Sequence, residues 1–172
     1  EKIPLFVDAD VTDLVEENGQ IDGVKVKMKD DKEKTVKAKA VVVTTGGFGA
    51  NEKLITQYKP ELKNYVTTNQ EGTTGDGIQM IQKVGGALVD MKEIQIHPTV
   101  QQSDAFLIGE AVRGEGAILA SQKGERFVNE LDTRDKVSAA INALPEKSAY
   151  LVFDQGVRDR AKAIDFYDQK GF

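Results

Sequence analysis

The run Ala40-Val41-Val42-Val43-Thr44 constrains the fold of this chain more than any other stretch. Unbroken apolar, β-branched sequence without polar alternation reads as a strand buried on both faces, the kind found in parallel sheets covered by helices. It runs into Thr45-Gly46-Gly47-Phe48-Gly49. Two glycines at the carboxyl end of such a strand either bring backbone close to a ligand or simply turn the chain into the next helix. Upstream the pattern changes. Val24, Val26 and Met28 alternate with Lys25, Lys27 and Lys29, which reads as a half-buried strand. Asn18-Gly19 is a hairpin signal. With strands expected at 5–7, 11–16 and 35–39, this part forms a small antiparallel meander.

Downstream, Asn51 is placed to cap a helix over 52–58, stopped by Pro60. Thr67 to Gly77 is a polar, Gly-rich loop before a helix that carries Ile78, Ile81 and Val84 on one face and ends at Gly85-Gly86. A loop at a helix N-terminus can hold an anion through backbone N–H groups. Asp76 would repel phosphate, so a ligand hydroxyl or ring N–H suits it better; an ordinary capping loop is the other reading. Strands are expected at 87–89 and 94–97. Segments 117–120 and 126–128 are expected to pair across a turn. A helix should begin near Thr133, a strand occupy 150–153 and a helix 157–164. The domain change falls near Met91 to Glu93, giving domains 1–92 and 93–172.

Composition narrows the function. With 172 residues, 40% hydrophobic and 30% charged, the chain reads as a globular protein with one good core or two small ones. The net charge of −5 gives no basic footprint for nucleic acid. The absence of cysteine excludes disulfides and thiolate chemistry, and a single histidine excludes a multi-His metal site, so no metal is expected. No apolar run approaches the roughly 20 residues that span a bilayer. The first residues show no signal-peptide pattern. The chain opens close to a strand and stops in a loop, which reads as an internal segment of a longer protein and leaves its compartment unassigned.

Chemistry concentrates between Ile94 and Asp135. This stretch holds His97, Glu110, Arg113 and Arg134 among Gly-rich turns. Loops on a rigid scaffold are where ligand chemistry usually sits, and the residues suit binding of a small anionic substrate and movement of a proton. A structural ion-pair network is the bland alternative for Glu110, Arg113 and Arg134, and a satisfied structural imidazole is that for His97. Arg134 adds a local hint. Thr133 reads as an N-cap, which puts a cation in the first helical turn, where the dipole opposes it by roughly 0.3–1 kcal/mol.

From Thr44-Thr45-Gly46-Gly47-Phe48 onward the chain resembles the flavoprotein subunits of fumarate reductase and succinate dehydrogenase, most closely the soluble flavocytochrome c type fumarate reductases. The resemblance continues through Thr68-Asn69-Gln70, Gly75-Asp76-Gly77, Ile96-His97-Pro98-Thr99, Glu110-Ala111-Val112-Arg113-Gly114, Gly124-Glu125-Arg126-Phe127-Val128-Asn129-Glu130 and Thr133-Arg134-Asp135. It implies a mixed α/β and α+β fold. Residues 1–92 would be the later portion of a Rossmann-like FAD-binding domain with its antiparallel meander, and 93–172 the first part of an α+β capping domain. The family's N-terminal Gly-x-Gly-x-x-Gly fingerprint is not in this sequence, nor are a further His and Arg that grip the substrate, so the segment alone is expected to be inactive.

Residue by residue, the resemblance implies FAD contacts at Val11, Thr45, Gly46, Gly47, Thr68, Asn69, Gly75 and Asp76. It implies substrate contacts at His97, Gly109 and Glu110, and a catalytic proton path through Glu110, Arg113 and Arg134, with Arg134 as the acid. Leu107 and Gly109 stand where the soluble reductases carry Met and Thr, and the second change removes a polar contact to a substrate carboxylate. The implied reaction reduces the C=C bond of a small dicarboxylate or related unsaturated acid, with electrons from a donor domain or protein outside this chain. The alternatives are a flavoenzyme of the same fold working oxidatively, as succinate dehydrogenases and aspartate oxidases do, and a non-catalytic nucleotide- or anion-binding module.

Overall fold

A computed structural model describes residues 3–169. The chain forms two compact units. The first comprises residues through Tyr65 together with Asn69–Lys92, and the second Val66–Thr68 together with residues from Glu93 onward.

In the first unit, β1 (Ala9–Glu17), β2 (Gln20–Met28) and β3 (Glu33–Lys37) form an antiparallel sheet in that order. Asn18 and Gly19 turn β1 into β2 with φ of 53° and 80°, the two positive values that a tight primed turn requires. The alternation of β2 holds: Val26 is buried, Val24 and Met28 are half-buried, and Lys25 and Lys27 face water. Helix α1 (Glu52–Tyr58) starts at Asn51, whose side chain accepts the Leu54 N–H at 3.1 Å and donates to the Thr74 carbonyl at 2.8 Å. Helix α2 (Asp76–Lys83) ends at Gly85, φ 84°, with the Gly86 N–H reaching back to the Ile81 carbonyl. Lys83 pairs with Asp13 at 3.0 Å and ties α2 to β1.

Three expected strands of this unit are absent. Residues 5–7 and 87–89 are extended without ladder partners, and Leu5, Phe6, Val7 and Val89 are exposed. The run 40–44 also lacks a sheet neighbour, and Val42 is 84% exposed. β-branched residues favour extended backbone, but ladder bonds need a second strand, and none lies beside these segments among the described residues.

In the second unit, the short helix α3 (Ala111–Gly114) leads to β4 (Ile118–Ala120), which pairs antiparallel with β5 (Tyr150–Val152). Helix α4 (Arg134–Asn142) lies between them in sequence, and α5 (Gln155–Arg160) and α6 (Ala163–Gln169) follow. Two apolar clusters form. Leu119, Val137 and Ile141 pack with Phe127, Val128, Ala149 and Leu151. Val112, Ala117, Val157, Ala161 and Ile164 pack with Ile108, Leu151 and Tyr167.

The expected pairing of 117–120 with 126–128 reduces to a single bridge between Ala120 and Arg126, because β5 takes the ladder of β4. The 94–97 strand is also missing. The expected helix over 157–164 is two helices that break at Ala161, whose ψ of 79° is not helical. Val157, Ala161 and Ile164 still enter one cluster, so their spacing reads as a single amphipathic helix.

Candidate active site

The charged residues of the second unit converge. Arg134 is the first residue of α4 and follows Thr133, whose side chain makes no capping bond. Its Nε donates to Glu110 Oε2 at 2.9 Å and its Nη1 to Gln95 Oε1 at 2.6 Å. Glu110 sits at the start of α3, and three residues on Arg113 brings its Nη2 within 3.9 Å of the same Oε2. One carboxylate oxygen therefore lies between two guanidiniums. Hydrogen bonding and charge from Arg134 hold the Glu110 carboxyl below its ordinary range. Arg134 and Glu110 are partly open to water, whereas Arg113 is only 4% exposed. Burial pushes the Arg113 guanidinium down, and the charge of Glu110 opposes that shift.

Arg113 is held from behind. Its Nη1 donates to the Glu130 carbonyl at 2.7 Å, while its buried Nε and Nη2 have no hydrogen-bond partner among the described residues. The Glu130 carboxylate is itself buried. It accepts the Leu119 N–H at 2.8 Å and is gripped by Arg126 through Nε and Nη2, the shortest contact being 2.6 Å.

His97 joins this group electrostatically. Burial lowers its pKa, and the nearby Arg134 lowers it further. A neutral imidazole follows at neutral pH. Its Nδ1 lies 3.3 Å from the Thr99 nitrogen and 3.2 Å from the Thr99 oxygen. The loop carrying it is fixed in three places. Thr99 Oγ1 donates to the Ile108 carbonyl at 2.7 Å, the Ile108 N–H returns to the Thr99 carbonyl at 3.0 Å, and Ser138 of α4 donates to the Ile96 carbonyl at 3.3 Å. The Gly109 N–H donates to the Tyr167 hydroxyl at 2.9 Å, so that amide is engaged within the protein.

Gln95, Arg126, Glu130 and Tyr167 belong to this network and were not singled out as site residues from the sequence. Glu130 had a readable signal, a carboxylate four residues after Arg126 at the end of a glycine-started motif. Gln95 and Tyr167 had none, because their contacts join segments 39 and 58 residues apart.

The first unit gathers the glycine motifs. Thr45, Gly46 and Gly47 are exposed; Gly46 has φ of 76°, and a Cβ on either glycine would meet nothing. Gly75 and Gly77 are the opposite. A Cβ on Gly75, φ 81°, would lie 2.8 Å from Phe48 Cβ, and one on Gly77 would lie 2.2 Å from Thr45 Oγ1. Asn69 stands against Gly49, where an added Cβ would approach its Nδ2 to 2.2 Å. Asp76 Oδ2 accepts the Thr74 hydroxyl at 2.7 Å. Val11 lies on β1 opposite Val26. Thr68 is exposed and falls in the second unit. No group of three His, Asp or Glu side chains that could hold a metal occurs among the described residues. No helix among them is long and apolar enough to cross a membrane.

The model of a family described as the FAD binding domain matches residues 1–163. The NADH:fumarate oxidoreductase of Klebsiella pneumoniae (strain 342) is 50% identical over 171 residues, covering 99% of this chain and 18% of that protein. The fumarate reductase (cytochrome) of Shewanella frigidimarina is 47% identical over 154 residues, covering 90% of this chain and 27% of the relative. The chain thus spans 18% and 27% of the length of these two proteins. Among solved structures, the open conformation of a flavocytochrome c3 fumarate reductase superposes with a TM-score of 0.73 at 37% identity, over 93% of this chain and 28% of that one.

Proposed function

The chain belongs to the FAD binding domain family, and from that premise we propose that it is the central part of a flavoenzyme that reduces the C=C bond of a small unsaturated carboxylate such as fumarate. Residues 1–92 are read as the later portion of its FAD-binding domain and 93–172 as the first part of the domain that caps the substrate. The observation that carries the reading is the placement of Glu110 Oε2 between Arg134 Nε and Arg113 Nη2.

The glycine turn fits a dinucleotide. Gly46 and Gly47 are open on the side where a Cβ would stand, so their backbone is approachable, whereas Gly75 and Gly77 are closed by protein. Thr45, Gly46, Gly47, Asn69, Gly75 and Asp76 are the residues that would lie along FAD, with Val11 and Thr68 as further contacts. Bound FAD in its reduced form supplies the hydride equivalent.

The chain's own residues would do the rest. Negative charge develops on the substrate as the double bond is reduced, and cations placed beforehand stabilise it. Two guanidiniums sharing one carboxylate leave surplus positive charge at the site. Arg134 would be the acid, an unusual one because a guanidinium gives up its proton far less readily than other side chains do. Glu110, open to water, would return a proton to Arg134. His97, kept neutral, can donate a hydrogen bond to a substrate carboxylate without a desolvated charge. Gly109 offers no side-chain hydroxyl to a substrate carboxylate, and its own amide is taken by Tyr167. Electrons would arrive from a donor domain or protein outside this chain.

The test is turnover by the full-length, FAD-loaded protein with a chemically reduced dye as donor, offered fumarate and acrylate. Reduction of either supports the reading. Oxidation of succinate without reduction of either acid would reverse the direction, and FAD binding without turnover in either direction would leave a binding module.

A further inference from the structure

We infer that Glu130, clamped by Arg126, is a positioning residue that sets where the buried guanidinium of Arg113 stands relative to Glu110; the inference rests on the proton-path reading above. Among the described residues, the only hydrogen bond of the Arg113 guanidinium runs from Nη1 to the Glu130 carbonyl, at 2.7 Å. A cation held at one point can pivot about it. What fixes that point therefore fixes the 3.9 Å separation between Arg113 Nη2 and Glu110 Oε2. That separation is just beyond hydrogen-bond reach, so a small movement of the tether decides whether the two groups bond or part.

The tether is held by a side chain. Both carboxylate oxygens of Glu130 are used: Oε1 accepts the Leu119 N–H and Arg126 Nε, and Oε2 accepts Arg126 Nη2 at 2.6 Å. Leu119 lies in the middle of β4, and Arg126 bridges to Ala120 at its end. The clamp thus joins the 129–132 turn to the strand, and the turn is closed by the Asp132 N–H on the Asn129 carbonyl. At 3% exposure, Glu130 would be costly to keep ionised without these partners. Burial, the largest single influence, raises its carboxyl, but the hydrogen bonds from Arg126, Leu119 and its own backbone, with the charge of Arg126, leave it lowered. Glu130 does not touch the Arg134–Glu110 pair; it would act through its own peptide carbonyl.

The experiment uses the full-length, FAD-loaded protein with the dye donor. Glu130→Gln keeps the shape and removes the charge that grips Arg126. Its kcat should fall by roughly tenfold to a hundredfold, the size of loss that small misplacements cause. KM and FAD content should stay unchanged and the solvent deuterium isotope effect on kcat should rise, because proton delivery becomes slower than the other steps. Arg126→Lys, with one nitrogen in place of two, should move kcat and the isotope effect the same way, and the double variant should fall no further than Glu130→Gln. A kcat within about twofold of the parent with an unchanged isotope effect would overturn the inference, as would a loss that merely tracks lost FAD. Should Glu130→Gln fail to fold, Arg126→Lys decides alone by the same criteria. Arg113→Ala separates the two levels. Full activity in that variant removes the proton-path reading and this inference with it; a slow Arg113→Ala beside an unaffected Glu130→Gln removes this inference only.

Discussion

In the second unit Leu119, Val112, Val137 and Ile164 are almost wholly withdrawn from water, whereas in the first Leu5, Phe6, Val42 and Val89 stand in it. Among the described residues, the buried hydrophobic ones of the first unit are Val26, Leu62 and Met80, against nine in the second. The two regions hold their candidate site residues by different means. The second rests a polar network on apolar clusters, with the Glu130 carboxylate bonded to β4 through the Leu119 N–H. The first relies on backbone contact at its glycines, where Gly75 and Gly77 leave no room for a side chain. One region should therefore respond to lost volume and the other to added volume.

The largest effect is expected in the second unit. Leu119→Ala should cost about 2–5 kcal/mol, the range for truncating a buried leucine, as measured by urea denaturation of the chain. A cost near zero would mean that its cluster is not closed. Gly77→Ala comes next. The added methyl group meets Thr45 Oγ1 and Val43 Cγ1 well inside contact distance, and overpacking of this kind costs about 1–3 kcal/mol. A neutral result would show that the start of α2 is not packed against Val43 and Thr45. Val42→Ser should change stability by no more than about 0.5 kcal/mol, as exposed positions do; a larger loss would show that the run is covered in solution.

The smallest effect is read in pH. Burial and Arg134 depress the pKa of His97, so below about pH 6.5 the unfolded chain binds the proton more readily. The His97 contribution is complete above that pH and is lost as the pH falls through its lowered folded value. His97→Gln should flatten stability across this window. Glu110 and Glu130 are also lowered, and their contributions disappear in more acid solution, as the pH falls through their folded values. A parent chain whose stability rises with acid just below pH 6.5 would contradict the assignment for His97.

What the sequence revealed divides along the same line. Local chemistry was readable: the Asn18-Gly19 turn, the alternation of β2, the Asn51 cap, the glycine stop after α2 and the place of Arg134 in a first helical turn all stand as expected. So was the family, from glycine, His, Glu and Arg motifs in a fixed order. Partner choice between distant segments was not readable. The 40–44 run has strand composition but no neighbour, and β4 chose β5 over 126–128. Buried positions were partly missed for the same reason. Val112 sits between polar or small residues in sequence, and only the packing of α3 shows that it is core. Among site residues, Gln95 and Tyr167 carry no local pattern, since their roles come from hydrogen bonds across many residues.

In the proposed reaction Arg134, poised on Glu110, delivers the proton. Steady-state kinetics of Arg134→Ala in the full-length, FAD-loaded protein, driven by reduced dye, tests it most directly. The kcat should fall by about 10²–10⁴-fold, the usual worth of a general acid, with substrate still bound and FAD content unchanged. A near-normal kcat would contradict it and return Arg134 to a structural ion pair with Glu110.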